Sequence, residues 1–400
     1  MRRRDVLGLA AAAPLAWAWR AAASEGGPSR LVVVMLRGAV DGLNVVIPQE
    51  EAEYYRLRPT IAVPHGAALP LDRRFALHPA LAGLMPLWQA GQLAFVHAAG
   101  SPDPTRSHFD AQLFMENGTP GRRTTADGWL NRLLAALPGP HGPAEALAVG
   151  PTLPTILRGR LAAANLPLGR AGVPREPLDR PALAGAFDRL YAGDDAQSRA
   201  YREGRAAHSE LAAHMEAEQQ MADAGAPPAA GFPAIAARLA RLVAGDRRIR
   251  LVFAALGGWD THVAQGGETG QLASRLKPLG DGLAAFAKEL GGDWRDTVVV
   301  VVSEFGRTAA ENGNGGTDHG HGNAIWVLGG RVAGGRVYGD WPGLAAGQLH
   351  EGRDLAVTTD YRSVFAAVIE RHLRLGDRAL AQIFPDAPPP RANLKEIIAA

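Results

Sequence analysis

The chain has 400 residues, 47% of them hydrophobic and 20% charged, which places it among globular chains of one large or two medium domains with a sizeable core. Its net charge is +2, and the arginines are dispersed among acids rather than clustered, so nucleic acid is not expected as a partner. The absence of cysteine excludes disulfides, thiolate metal sites and cysteine nucleophiles.

The first residues are read as a targeting segment. Arg2, Arg3 and Arg4 precede an apolar stretch from Val6 to Trp19, and Ala21, Ala22 and Ala23 before Ser24 form a small-residue cleavage site. The adjacent arginines point to the twin-arginine export machinery, which carries proteins already folded and often already loaded with cofactor. The apolar stretch is shorter than the ~20 residues that span a bilayer, and no later segment is long enough. A signal peptide over residues 1–23 and a periplasmic or secreted bacterial protein over 24–400, without a stable membrane span, are therefore expected.

Taken in order, Leu31 to Leu36 is an apolar run that reads as a central strand, ending in Arg37-Gly38-Ala39-Val40-Asp41. Asp41 suits either a metal ligand or the N-cap of a following helix. Pro59 and Pro64 break any helix between Tyr54 and Pro64. A helix is expected over Pro79 to Gln89, with His78 capping or packing, and then a short strand from Leu93 to Val96. Pro102 and Pro104 preclude regular structure up to Thr105, and Ser107 opens a helix reaching Asn117. Free N–H groups at such a start can hold an anion, with Arg106 beside them; the simpler reading leaves Ser107 a cap and Arg106 a surface charge.

From Gly118 to Gly231 strong strands are scarce, and a mainly helical insert is expected. It comprises a helix over Asp127 to Leu137, short strands at Ala146 to Gly150 and Leu153 to Leu157, helices over Pro181 to Tyr191 and Ala196 to Ala222, and a flexible linker at Ala224 to Gly231. His208 and His214 lie about 120° apart around their helix and are read as solvated or packing residues. A helix from Ala234 to Val243 leads to a strand, Ile249 to Leu256, whose exit carries Asp260 and His262. Two residues apart in extended backbone, this carboxylate and imidazole face one side, as zinc or a similar divalent ion would require. A structural Asp–His hydrogen bond is the alternative.

A helix from Gln271 to Leu290, with Pro278 a possible kink, leads to the stretch Thr297 to Gly330. Val298 to Val302 is a β-branched buried strand ending in Ser303, Glu304, Phe305, Gly306 and Arg307. A Gly/Asn-rich loop then brings Asp318, His319 and His321 before a further apolar run, Ala324 to Leu328. Acids and imidazoles thus gather at strand ends, where open α/β sheets build their sites, and the β-α-β order from Pro233 to Leu328 is expected to set these strands side by side. An edge hairpin or loop follows at Arg336 to Gly343, and a last helix over Thr358 to Leu373.

The element order resembles the alkaline phosphatase superfamily, which includes sulfatases and cofactor-independent phosphoglycerate mutases. More closely, the chain is identified as a member of the exported, sulfatase-like family called domain of unknown function 1501. The twin-arginine start, LRGAVDGLN, SPDPTRSHFDAQ, GGWDTH, SEFGRT and TDHGHG carry this match. The resemblance implies a three-layer α/β/α sandwich around a largely parallel sheet. It also implies one or two divalent ions, with zinc expected, held by Asp41, Asp260, His262, Glu304 and His319 or His321. Phe305 stands where the superfamily motif has a histidine ligand, and Pro102 where the sulfatase signature has its nucleophile, which leaves Ser107 the preferred nucleophile over Ser101 and Thr105.

The function this implies is metal-dependent hydrolysis of a small phosphate or sulfate ester, with Arg106 and the helix N-terminus orienting the anion and Arg307 another possible contact. A non-catalytic extracytoplasmic binding or assembly protein on the same fold is the alternative. An isomerase or phosphotransferase is a third reading.

Overall fold

The computed structural model describes residues 27–166, 193, 195, 197–198, 219–390 and 392–399. The signal peptide, His208, His214 and the helix expected over Pro181 to Tyr191 lie outside the described residues, as does most of the helix expected over Ala196 to Ala222.

A nine-stranded sheet organises the chain. Its strands are β1 (Arg30–Leu36), β5 (Leu93–Gly100), β6 (Ala146–Val149), β7 (Ala164–Leu166), β8 (Leu251–Leu256), β9 (Thr297–Ser303), β10 (Asn323–Gly329), β11 (Arg336–Tyr338) and β12 (Thr359–Asp360). Their order is β11-β5-β10-β9-β1-β8-β6-β7, with β12 paired to β5. Only β10 runs against its neighbours β5 and β9; the other pairs are parallel. A small antiparallel sheet of β2 (Val46–Ile47), β4 (Ala76–Leu77) and β3 (Leu69–Pro70) lies apart from it.

The valine-rich runs become central strands because both faces of the sheet are covered. Along β1, Leu31, Val33 and Met35 enter one core with Trp129, Phe365 and Ile369, whereas Val32, Val34 and Leu36 enter a second with Leu239, Leu279 and Phe286. The first core is roofed by helices Trp129–Ala136 and Tyr361–His372, the second by Phe232–Gly245 and Gln271–Leu290. Each fully buried valine side chain contributes about 1.5 kcal/mol or more of apolar transfer free energy. The expected three-layer α/β architecture around a largely parallel sheet is thus observed.

Several local expectations are corrected. β8 and β9 share the sheet but are separated by β1, which pairs with both. Residues 52–57 form a short helix, Ala52–Leu57, that ends just before Pro59. The segment at Leu153 to Leu157 is no strand: Thr155–Leu157 is a 3-10 turn, in which Ile156 N donates to Glu116 Oε2 at 2.9 Å instead of to a ladder. The stretch Ala224 to Gly231 is docked, since Pro227 O accepts from Gly257 N at 2.9 Å and Ala229 is buried. Helix Gln271–Leu290 runs on through Pro278, and β11 pairs in parallel with β5 rather than forming a hairpin. Within 118–231, β6 and β7 extend the main sheet.

This topology gathers strand ends. Leu36 of β1 is level with Leu256 of β8 and Ser303 of β9, so three exits open side by side. Because β10 is antiparallel, its beginning lies at the same edge, and the loop before it returns Asp318 to His321 there. Gly38 makes the crowding possible: its φ is +110°, and a Cβ on it would stand 2.6 Å from Asp260 N. Gly38→Ala is therefore expected to destabilise the fold by more than about 1 kcal/mol, read as a lower urea midpoint with unchanged slope.

Candidate metal centre

His108 enters from the turn after β5. Pro102 and Pro104 keep this turn irregular, and it is stitched by Ser101 Oγ accepting from Asp103 N at 3.2 Å and Asp103 Oδ1 accepting from Thr105 N at 2.9 Å. Ser107 caps helix His108–Asn117 by accepting from Asp110 N, so His108 is the first helical residue and is buried. The exit of β8 supplies Asp260 and His262. The loop before β10 supplies His319, braced where Gly320 N donates to Gly306 O at 2.8 Å and Gly306 N to His321 O at 2.9 Å. Gly306 permits this close approach, for a Cβ there would stand 1.8 Å from Gly322 O.

These four side chains form one cluster. His319 Nε2 lies 2.9 Å from His108 Nε2 and 3.0 Å from His262 Nε2. Asp260 Oδ1 is 3.0 Å from His262 Nε2 and 3.3 Å from His319 Nε2, and Asp260 Oδ2 is 3.6 Å from His108 Nε2. His108, Asp260 and His319 present ligand atoms that all lie within 4.8 Å of one another.

The outer ring nitrogens decide the tautomers. His319 Nδ1 sits 2.9 Å from the carbonyl oxygen of Arg106, which can only accept, so that nitrogen donates. His108 Nδ1 donates in the same way to Glu304 Oε1 at 2.7 Å, and His262 Nδ1 to Asp318 Oδ1 at 3.0 Å. In each neutral ring the proton is thereby held on Nδ1 and the Nε2 lone pair is turned inward. Lone pairs meeting at 2.9 and 3.0 Å repel unless a proton or a cation lies between them.

Electrostatics agree with that demand. Burial disfavours a charged His108, yet hydrogen bonds with Asp260 and Glu304 outweigh it and raise the imidazole to about 9. The hydrogen bond with Asp260 raises His262 against its burial. Asp260 is held below the usual carboxylate range: burial opposes this, but His108, His262, His319 and Arg307 overcome it. Glu304 is likewise lowered despite burial, chiefly by His108.

The other expected site residues lie around this cluster. Glu304 is fully buried and accepts from Gly38 N at 2.8 Å and Gln112 Nε2 at 3.1 Å, so it reaches the cluster through His108. Asp41 is also fully buried; its side chain accepts no cap hydrogen bond from the short helix it precedes, and accepts instead from Arg58 at 2.6 and 3.0 Å and from Gln265 Nε2 at 2.6 Å. Arg307 is buried rather than open to an anion, its Nη1 2.6 Å from Asp260 Oδ1 and its Nη2 on Thr317 O. His321 stacks on His350 with ring centroids 4.5 Å apart, and burial together with that neighbour lowers it to about 4. Arg106 pairs with Glu351 at 2.7 Å and Asp354 at 2.6 Å. Phe305 packs with Ala39 and Ala111 and lies against the rings of His108 and His319, at 4.8 and 5.2 Å between centroids.

Sequence reasoning missed His108, although it stands directly after the recognised cap Ser107. It also missed Arg58 and Gln265, whose contacts with Asp41 span 17 and 224 residues of chain. A histidine at the first position of a helix that follows a strand end was the available signal.

The donor set fits a divalent cation. Imidazole nitrogen with one carboxylate suits zinc and its neighbours, and ligand atoms around a tetrahedral ion with bonds of about 2.1 Å sit about 3.4 Å apart, close to the spacings here. His262 and His319 remain partly exposed, at 25% and 16% of their side chains, so one side opens to solvent, as a reactive rather than closed site requires.

An α/β fold with a candidate histidine–carboxylate cation site at its parallel strand ends is the class of protein these features define. Residues 28–384 match the family described as "Protein of unknown function (DUF1501)", and the chain belongs to that family. Among solved structures it is similar to Ps i-CgsB in complex with k-i-k-neocarrahexaose, at 9% identity over 89% of this chain and 74% of that one, with a TM-score of 0.44. It is also similar to a protein of the alkaline phosphatase superfamily from Vibrio parahaemolyticus, at 10% identity over 78% of this chain and 63% of that one, with a TM-score of 0.37. The lipoteichoic acid synthase LtaP from Listeria monocytogenes gives 10% identity over 78% and 69%, with a TM-score of 0.37. No curated protein matches the chain.

Glu304→Gln, which keeps the shape but weakens the acceptor for His108 Nδ1, is expected to lower zinc affinity about 10- to 100-fold in competition with a chromophoric chelator. Protons and metal compete for the same Nε2 atoms, and His108 is protonated in the metal-free chain below about 9. Apparent affinity should therefore fall as pH falls, with proton release on zinc binding in calorimetry across buffers of different ionisation enthalpy.

Proposed function

We propose that this protein is an exported, metal-dependent hydrolase of phosphate or sulfate esters that works with one divalent cation. The carrying observation is the inward convergence of His108, His319 and Asp260, with His262 beside them and each imidazole anchored through its outer nitrogen. A bound cation would supply Lewis acidity toward the ester and its nucleophile.

The chain's own residues set up the rest. Asp41 has both oxygens engaged by Arg58 and Gln265, and Phe305 occupies the position of a histidine ligand, which favours one cation over two. Ser107 is exposed beside His108 at the helix N-terminus and is the hydroxyl we assign as nucleophile. Exposed Glu351 places a carboxylate 2.7 Å from Arg106, marking where an anionic ester group would exchange in and be held. The N-terminal sequence supports export to the periplasm or beyond.

The engagement of Asp41 and the presence of Phe305 also favour a second reading, a non-catalytic extracytoplasmic binding protein that keeps the cation. Turnover separates the two. The zinc-loaded chain is expected to hydrolyse an aryl phosphate or aryl sulfate, with Asp260→Asn losing metal and at least about 100-fold in kcat/KM. Ser107→Ala should keep its metal and lose turnover. Full metal content without turnover of any ester would leave only the binding reading.

A further inference from the structure

The opposite end of the sheet carries a separate cavity of about 1040 Å3. Arg250 stands just before β8, Arg295 and Asp296 just before β9, and Arg331 just after β10, while Arg371 and Arg374 close it from the end of helix Tyr361–His372. Among the described residues that line it, five arginines therefore stand against one carboxylate, Asp296, with Glu145 near enough to Arg250 to act on it electrostatically. The neighbouring His372 adds no charge, because it is buried, lowered to about 4 and turned to the carbonyl of Arg30 at 3.0 Å.

Ordinary structural roles absorb only some of these arginines. Asp296 Oδ1 accepts from Arg331 Nη2 at 3.2 Å, and among the described residues no carboxylate forms an ion pair with Arg250, Arg295, Arg371 or Arg374. Arg371 lies at a helix C-terminus, where a cation is favourable, and donates to Lys395 O at 3.3 Å; with the Arg331–Asp296 pair, that accounts for two of the five. The buried Nε atoms of Arg250 and Arg331 have no hydrogen-bond partner. Buried donors are rarely left unsatisfied, and like charges converging on one cavity repel unless an anion joins them. Planar guanidinium groups from four chain segments suit tetrahedral oxyanions, which each can contact in bidentate fashion.

We propose that this cavity binds a small soluble anion carrying two or more phosphate or sulfate groups. Its volume exceeds what a single oxyanion fills, and its charge exceeds what a single oxyanion balances. The site is distinct from the His108–His319 cluster, since the two lie at opposite ends of β1, β8 and β9, about 20 Å apart for strands of this length. The inference stands independently of the ester-hydrolase reading.

The test is calorimetric titration of the metal-free, full-length chain with sodium tripolyphosphate, beside inorganic phosphate and vesicles of anionic phospholipid. Tripolyphosphate should bind at one site, at least about 10-fold tighter than phosphate and more weakly as salt is added. The double variant Arg295→Glu, Arg374→Glu changes two exposed side chains, so it should fold as the parent and lose at least about 30-fold in affinity. Binding should persist in His319→Ala. Equal affinity in the arginine variant would overturn the proposal, as would loss of binding in His319→Ala, which would place the anion at the metal cluster. Vesicle binding that tripolyphosphate fails to compete would assign the arginines to a lipid surface and overturn it equally.

Discussion

The ion pair between Arg307 and Asp260 is the constraint on which the site rests. Both side chains are essentially buried, and Arg307 also reaches Thr317 through Nε at 3.1 Å. Withdrawing two charges from water is costly, and removing one partner of such a pair destabilises by about 3–5 kcal/mol. What this interaction contributes is position: it joins the exit of β8 to the loop before β10 and turns Asp260 toward three imidazoles, whose hydrogen bonds, against burial and with Arg307 adding to them, hold that carboxylate below its usual range. The valine-rich sheet brings the segments to one edge, and this pair fixes how they meet.

A second buried guanidinium engages another acid expected to bind metal. Arg58 lies across both oxygens of Asp41 and also binds Asn44 Oδ1 at 2.7 Å, Ala309 O at 2.9 Å and Thr308 O at 2.9 Å. Tyr54 completes the group with a hydrogen bond to Asn44 at 2.8 Å. A carboxylate already neutralised by a fully satisfied, permanently charged arginine has little to gain from a metal ion. The chain therefore holds two acids beneath the strand ends in different ways: Asp41 is closed by Arg58, whereas Asp260 is supported from behind by Arg307 and open in front to histidines.

Much of this was legible in the sequence because the signals are local. Unbroken β-branched runs gave the central strands, the long helix Gln271–Leu290 was read to its observed bounds, and His78 indeed caps the 3-10 turn after it, accepting from Ala80 N at 3.0 Å. Of the side chains in the cluster, Asp260, His262 and His319 were singled out from their strand ends. The remainder depends on long-range pairing. That β1 separates β8 from β9 is a fact of sheet order, that Arg58 engages Asp41 follows from loop packing, and whether His319 or His321 points inward depends on how the loop crosses Arg307. Alternation along an extended segment cannot choose between those two histidines, since both fall on the same face; the structure turns His319 inward and stacks His321 on His350.

In the proposed centre one divalent cation sits among His108, Asp260 and His319 while Asp41 stays with Arg58. Anomalous X-ray diffraction from zinc-loaded crystals at the metal edge tests it most directly. The expected result is one anomalous peak per chain, within bonding distance of Nε2 of His108 and His319 and an oxygen of Asp260, with the Arg58–Asp41 pair intact. A peak at Asp41 with Arg58 displaced, or no peak within the histidine cluster, would contradict it.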